Sequence, residues 1–596
     1  MKWEKSCGAV LFREDAGRTY LILHSVKGHW SLCKGHVEDN ETEHETATRE
    51  IREETGLSVE YVENFREVIT YSPYSGCIKD VVFFLARVTD GTLTCQPEEV
   101  AEAAFLPFKE AVSRLTHDGD RDILQKAEAF LIMRRNAGST PLYDCLRRVA
   151  DRDPLRLDMP GHHGRVFPVE NLADITIDFT ENGHTGDLFG GSGDAIEEAE
   201  RLWAETCGFD SCLFLTGGST QGNHTGLALL AGAGGAVAVD RGSHRSVYNA
   251  MALLDLTPRY ISRPWLEDWG VTGPVDPAEV ERMLESDPEI KTVCIVSPTY
   301  YGVLSDIPAI AEVCHSHGAK LMVDGAHGAH MCFYIDSDYR AADLVVVSAH
   351  KTLPALGQSA LLFANGISLD ELRRMGSVYG SSSPSYLLMA SLDLARDWML
   401  REGLSRYEKA AGWSLYFRDC FPAVRFDREK LDLTRLVLLT DDGFALEDEL
   451  RKRGIYPEMA DQNHVVFIFT AADGDEEAKR LDKALRELMP ADCEPDACGR
   501  YDVPEIRLRA ESSGEHMSFV PPEVPEQVMS ARQALFAPRE TMALADSEGR
   551  IAASQVAPYP PGIPVIAPGE RIEKKHLAYL NRIGYNKKII EVVAEV

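Results

Sequence analysis

Lys351 closes the segment Ser348-Ala349-His350-Lys351, directly after the apolar run Leu344 to Val347. A lysine at a strand end, beside small and polar residues, can form a Schiff base when its surroundings lower its pKa. One lysine in a loop is ordinarily just solvated, so its company decides. A second apolar strand, Leu321-Met322-Val323, delivers Asp324 to its end, followed by Gly325-Ala326-His327-Gly328. A carboxylate and a lysine at nearby strand ends meet the two demands of pyridoxal 5′-phosphate. The aldehyde condenses with the amine, and the aspartate keeps the pyridine nitrogen protonated so that the ring draws electrons. Two more pieces fit. Leu213-Phe214-Leu215 runs into Thr216-Gly217-Gly218-Ser219-Thr220, whose small residues at a helix start offer N–H groups and hydroxyls to a phosphate. Val237-Ala238-Val239 leads to His244, an imidazole able to stack on the ring. Gly218 to Thr220 alone would be an ordinary turn and His244 an ordinary histidine; the four elements in this order point to one cofactor site.

A second set lies near the start, in Arg49-Glu50-Ile51-Arg52-Glu53-Glu54-Thr55-Gly56-Leu57. Glu50, Glu53 and Glu54 fall at i, i+3 and i+4, so their carboxylates share one helical face. Such acids repel one another unless a divalent cation sits among them, and oxygen ligands suit Mg2+ or Mn2+. Arg49 can orient Glu53, and Gly56 supplies the helix stop. The plain alternative is a solvated acidic helix.

The elements around these residues set the frame. At 596 residues the chain is too long for one core. Strands are expected at Ala9 to Phe12 and Tyr20 to Leu23, and a helix from Ile123 to Met133. Arg134 to Pro141 reads as a short polar linker, and Leu142 to Val149 as a helix. From about 195 to 370, apolar strands alternate with helices, as a mainly parallel doubly wound sheet demands. Gly232 to Gly235 follows a helix and precedes a strand, the reverse of a dinucleotide-binding turn. Past about 400 comes a smaller α/β unit, with strands at Leu436 to Leu439 and Val465 to Phe469 and a helix from Glu476 to Leu488. The net charge of −32 argues against binding nucleic acid through its backbone. Met1 to Lys5 lacks the apolar core of a signal peptide, and the stretch from Gly226 to Val239 is too short and glycine-broken to span a bilayer. The 13 cysteines, Cys207/Cys212 and Cys493/Cys498 included, form no zinc pattern and read as reduced thiols of a cytoplasmic protein.

On these motifs, residues from about 142 to 596 resemble the ornithine/lysine/arginine decarboxylase family of fold-type I pyridoxal-phosphate enzymes. Pro160-Gly161-His162, Ser297 to Gly302, Ser383 to Leu388, Pro558 to Pro564 and Pro568-Gly569-Glu570 add to the likeness. From Gly35 to Leu57 the spacing matches every fixed position of the Nudix box. The flanks Gly28-His29-Trp30, Lys34 to Val37 and Asp80 to Leu85 resemble the diadenosine-tetraphosphate hydrolase branch over residues 1 to 135. The first resemblance implies that Lys351 carries the cofactor, Asp324 sustains the pyridinium, His244 stacks and His327 supports the ring's face or hydroxyl. Gly218, Ser219, Thr220, Ser348 and His350 would then surround the phosphate. It also implies a homodimer or larger assembly, with a residue near Ser383 reaching the partner's cofactor. The second implies metals on Glu50, Glu53 and Glu54 and a catalytic base from a later loop, where Glu98 and Glu99 are both candidates. Lys34 is a candidate phosphate ligand and Tyr74 a candidate stacking residue.

Three departures bear on activity. Gly325 stands where the family commonly has Glu; His163 and Phe189 replace the family's Lys and His; Ser554 occupies the place of a glutamate before the proline-rich motif. The fold class expected is α/β: a Nudix α/β/α sandwich (1–135), a linker (136–141), a fold-type I large domain (142–405) and a smaller C-terminal α/β domain (406–596). The activities expected are decarboxylation of lysine, ornithine or arginine and hydrolysis of a nucleoside polyphosphate such as diadenosine tetraphosphate. Another pyridoxal reaction, or a weak pyridoxal domain regulated by a nucleotide-sensing Nudix module, remains the alternative.

Overall fold

The structure, a computed structural model, describes residues 2–15, 17–38, 41–72, 74, 77–167, 173–181, 183–191, 193–333, 337–425, 427, 430–490, 520–558, 563–585 and 589–595. It falls into two compact units, Met1–Arg135 and Asn136–Val596.

In the first unit the strands are β1 (Lys2–Arg13), β2 (Thr19–Ser25), β3 (Trp30–Ser31), β4 (Cys33–His36), β5 (Ser58–Tyr71), β6 (Cys77–Asp90) and β7 (Val100–Pro107). They form one seven-stranded mixed sheet in which β1 runs parallel to β6. Side chains alternate across a strand, and β1 shows the consequence. Val10 and Phe12 enter one core, with Ala111 of α2 (Phe108–Arg114) and Ile123, Leu124 and Leu131 of α3 (Asp118–Asn136). Ala9 and Leu11 enter the other, with Ala47 and Ile51 of α1 (Glu43–Thr55). The sheet is thus covered on both faces. Helix α1 starts at a capping box, in which Thr42 Oγ1 accepts from the Glu45 N–H and Glu45 accepts from the Thr42 N–H. It stops where Gly56 turns left-handed, at φ 68°.

The second unit opens with α4 (Pro141–Ala150) and α5 (Ala195–Cys207). Then strand and helix alternate: β8 (Ser211–Leu215), α6 (Gly218–Leu230), β9 (Ala236–Asp240), α7 (Arg245–Leu254) and β10 (Thr257–Ile261). A hairpin of β11 (Trp265–Leu266) and β12 (Val271–Thr272) precedes α8 (Pro277–Ser286), β13 (Thr292–Val296), α9 (Ile307–Ser316) and β14 (Lys320–Asp324). The series ends with β15 (Leu344–Val347), the short α10 (Ala349–Thr352), β16 (Ala360–Ala364), α11 (Leu369–Tyr379), α12 (Tyr386–Trp398) and α13 (Leu404–Cys420). Seven of these strands lie in the order β10-β9-β13-β14-β15-β16-β8. All run parallel except β16, which is antiparallel to both neighbours. Beyond it, β17 (Arg435–Leu439), β18 (Met459–Ala460) and β19 (His464–Ile468) make a three-stranded sheet. Leu436 and Leu438 face one core there, and Val437 and Leu439 another.

Arg134 to Asn136 finish α3, where cationic side chains suit the helix C-terminus. The next residues are bonded to α12, since buried Arg396 donates to the Asn136 and Ser139 carbonyls, Asp397 accepts from the Gly138 N–H, and Asp393 accepts from the N–H groups of Leu142 and Tyr143. One expectation changes: not every cysteine is a thiol. Ten described cysteines are free, but Cys420 is disulfide-bonded; Cys493 and Cys498 lie outside the described residues. No described helix is long and apolar enough to cross a membrane.

Helix α6 approaches the sheet through Gly222 and Gly226. A Cβ on Gly222 would lie 2.6 Å from Val346 Cγ1, and one on Gly226 would lie 2.9 Å from Leu344 Cδ2. Gly222→Ala is therefore expected to lower stability by about 1–3 kcal/mol through overpacking. Gly357→Ala, whose Cβ meets nothing within 4 Å, should change it little. Chemical unfolding of the two variants checks this.

Candidate functional site

Because β8, β9, β13, β14 and β15 are parallel, the residues that follow each of them emerge on one edge of the sheet, where open α/β sheets bind ligands. That edge gathers Ser219, His244, Tyr300, Asp324, His327 and Lys351. Asp324 is only 2% exposed. Its Oδ2 accepts from Asn223 Nδ2 at 2.8 Å and its Oδ1 from the Ala326 N–H at 3.2 Å. The same Asn223 nitrogen donates to Ser246 Oγ at 2.9 Å, and that hydroxyl lies 2.9 Å from His244 Nδ1. His244 caps α7, its Nδ1 accepting from the Ser246 N–H, so the ring proton sits on Nε2. Burial pushes the His244 pKa down, with the charge of Asp324 opposing.

Lys351 Nζ lies 3.0 Å from His327 Nε2, and Arg435 Nη2 lies 3.3 Å from His327 Nδ1. The His327 ring packs edge-on to Tyr300, at 4.8 Å between centroids. Desolvation lowers the Lys351 pKa; the positive charge of Arg435 adds to this, and Asp324 and Glu458 oppose it. Burial, then the charges of Lys351 and Arg435, hold His327 well below the usual imidazole range. At the other end of the edge, Ser348 Oγ donates to Ser219 Oγ at 2.9 Å. Gly218 is left-handed at φ 70°, and no side chain caps the α6 N-terminus, so its first N–H groups carry no capping side chain. Thr220 is exposed there. His350 donates from Nδ1 to the Ser359 carbonyl at 2.9 Å, which leaves Nε2 for another partner.

In the first unit, Glu50 and Glu54 are buried and Glu53 is exposed. Gly35 makes room: a Cβ there would lie 1.8 Å from Glu50 Cδ. Arg49 bonds Glu50 at 2.8 Å and Glu53 at 3.2 Å, and also holds Glu41 and the His36 carbonyl. Burial raises the Glu54 pKa to about 7; the Cys33 thiol and Lys34 lower it, and Glu50 and Glu99 add to the rise. Its Oε2 is buried without a partner among the described residues. Glu99 also raises Glu50, so of the two loop acids it is Glu99 whose charge is felt at both helical carboxylates. Lys34 lies 3.6 Å from Asp120, and Tyr74 donates to Glu4 at 3.0 Å, so its hydroxyl is used locally. Among the described residues no group of three or more His, Cys, Asp or Glu is assembled to hold a metal. Arg49 supplies the positive charge that the carboxylates otherwise lack.

Residues 140–426 match the family model for the Orn/Lys/Arg decarboxylase major domain, residues 515–588 its C-terminal domain, and residues 3–127 the NUDIX domain. An arginine decarboxylase of Bacillus subtilis (strain 168) is 30% identical over 472 residues, covering 74% of this chain and 93% of the relative. The chain belongs to the Orn/Lys/Arg decarboxylase family. It joins a Nudix hydrolase domain to a pyridoxal-phosphate-dependent decarboxylase domain of the basic-amino-acid class. The constitutive lysine decarboxylase of Escherichia coli (strain K12) is 24% identical over 517 residues, covering 69% of this chain and 70% of its own. The solved structure of the E. coli constitutive lysine decarboxylase shares the fold, at TM-score 0.62 and 17% identity over 86% of each chain.

The family's cofactor fits the residues present: an amine, a buried and hydrogen-bonded carboxylate, and a glycine-rich helix N-terminus with hydroxyls share one edge. Divalent metal fits the other site through its carboxylates, one with an orphaned buried oxygen. The departure at Gly325 has a cause, because a Cβ there would lie 2.9 Å from Tyr339 Oη, which donates to the Ser297 carbonyl. Ser554 adjoins Gln555, whose amide donates to the Arg245 carbonyl at 3.2 Å, so it sits by the first turn of α7. Ser383 is exposed. Sequence reading missed Asn223, Ser246 and Arg435. The helical spacing from Ser219 to Asn223 could have flagged the first, whereas Arg435 comes from a different sheet and gave no local signal.

Glu54 gives a test by pH. Its folded pKa of about 7 exceeds the ordinary 4.5, so the fold holds a proton that the unfolded chain releases, and stability falls as pH rises between those values. In chelator, Glu54→Gln is expected to stabilise the Nudix domain by about 2 kcal/mol at pH 8 and hardly at pH 5. Denaturant unfolding at both pH values decides it; equal shifts would contradict the assignment.

Proposed function

We propose that the second unit decarboxylates lysine, ornithine or arginine with pyridoxal phosphate bound through Lys351, on a fold-type I scaffold. The observation that carries this reading is the joint placement of Lys351 and the buried, Asn223-bonded Asp324 on one sheet edge. Pyridoxal phosphate supplies an electron-withdrawing ring that takes up the electron pair left when carbon dioxide departs. Asp324, oriented by its hydrogen bonds from Asn223 and the Ala326 N–H, would hold a proton at the pyridine nitrogen. His244 presents its ring, with the tautomer fixed by Ser246. Ser219, Thr220, Ser348, His350 and the N–H groups from Gly218 onward hold the phosphate. Lys351, its amine beside His327, would be the group that returns a proton to the α-carbon. The large domain is taken as 142–405, the small as 406–596, with 136–141 between the units. A homodimer in which exposed Ser383 approaches the partner's cofactor completes the reading.

The first unit is proposed to hydrolyse a nucleoside polyphosphate such as diadenosine tetraphosphate. Glu50, Glu53 and Glu54 would hold Mg2+ or Mn2+, which neutralises phosphate charge and acidifies water. Glu99 is preferred to Glu98 as the base, because its charge reaches Glu50 and Glu54.

Carbon dioxide release from one of lysine, ornithine or arginine by the reconstituted chain, abolished in Lys351→Ala, is the expected result. Release from none of them would remove the substrate class. For the other half, hydrolysis of diadenosine tetraphosphate with Mn2+ should drop by about 100-fold or more in Glu53→Gln. An undiminished rate would remove Glu53 from the site.

A further inference from the structure

Two nitrogen donors face the two nitrogens of one imidazole. Arg435 Nη2 stands 3.3 Å from His327 Nδ1, and Lys351 Nζ stands 3.0 Å from His327 Nε2. A guanidinium only donates, so Nδ1 accepts and carries no proton. A neutral imidazole then holds its proton on Nε2 and donates it, and an ammonium group has no lone pair with which to accept. The contact between Nε2 and Lys351 is a hydrogen bond only if Lys351 is an uncharged amine. We propose that Arg435 is a positioning residue that acts through His327: by occupying Nδ1 it fixes the Nε2–H tautomer, which in turn keeps Lys351 as the neutral amine needed to take up the cofactor. This rests on the reading of Lys351 as the cofactor lysine.

Three features support the assignment. Arg435 is fully buried, and among the described residues its Nε and Nη1 have no partner, so the bond to His327 is made by a side chain that little else there satisfies. A buried guanidinium so poorly paired is costly. The imidazole is buried too, with His327 only 8% exposed. The remaining charges fit. Asp324 and Glu458 favour the ammonium form of Lys351, and the burial of Lys351 opposes them along with Arg435. Around His327 the charges of His244 and His350 add to those of Lys351 and Arg435 in disfavouring an imidazolium, and the Tyr300 ring packs against it edge-on.

The chemistry explains why the proton matters. An amine attacks an aldehyde through its lone pair; the carbon–nitrogen double bond forms and the carbonyl oxygen leaves as water, taking both amine protons. A charged Lys351 cannot begin this. Gln at position 327 can reproduce the pattern, since its carbonyl accepts from Arg435 and its amide N–H donates to Lys351. Phe cannot, although it leaves the charge of Arg435 in place.

The test uses the full chain freed of cofactor. Pyridoxal phosphate is added across a pH series, borohydride fixes what has bound, and mass spectrometry reads the fraction attached at Lys351. In His327→Phe the midpoint of labelling should rise by about one pH unit, the worth of one lost hydrogen bond to the neutral amine. His327→Gln should stay near the wild type, and Arg435→Lys, still a donor, should do so too. Phe and Gln behaving alike would overturn the relay and leave only a charge effect. An Arg435→Leu variant, which has no donor, that altered substrate KM with labelling unchanged would overturn it as well. If the wild type does not label at Lys351, the cofactor reading itself fails. The tautomer is then decided separately by 15N spectra of histidine-labelled wild type, in which a protonated Nδ1 on His327 would overturn the proposal.

Discussion

A carboxylate shut away from water must find hydrogen-bond donors among its neighbours, and much of the decarboxylase half is arranged around supplying them to Asp324. Two donors do so, the amide of Asn223 and the N–H of Ala326. Asn223 reaches Asp324 because α6 lies close to the sheet, and α6 lies close because Gly222 and Gly226 present no side chain to Val346 and Leu344. The same amide extends through Ser246 to His244. One packing decision, two glycines on one helix face, thus sets a carboxylate, a hydroxyl and an imidazole.

The Nudix half solves a related difficulty by the opposite means. There the carboxylates crowd one helix face, and burial drives Glu54 toward its protonated form. Arg49 compensates two of the acids but leaves an oxygen of Glu54 without a partner among the described residues. Such an acidic face suits a centre that works with a cation.

Much of this was legible in the sequence, and the reason is local. Lys351, Asp324, His244 and Ser219 each follow an apolar strand, so a period-two pattern and one turn suffice to place them. Glu50, Glu53 and Glu54 follow from helical spacing alone. Contacts between elements distant along the chain were not legible. Arg435 meets His327 across two sheets, and Arg396 reaches back to Asn136 and Ser139. No periodicity encodes either contact. The polar run from Arg134 to Pro141 reads as a linker by composition, and the α12 side chains that bond it, Arg396 among them, lie far along the chain.

Arg241 lies just ahead of His244, and its guanidinium donates to both oxygens of Glu570, at 2.7 and 2.9 Å, with Glu570 wholly buried. The rings of Tyr260 and Tyr248 flank it at 4.6 and 5.7 Å. During synthesis the ribosome makes Arg241 long before Glu570. The two partners stand 329 residues apart, so the pair beside His244 cannot close until the C-terminal part of the chain has been made.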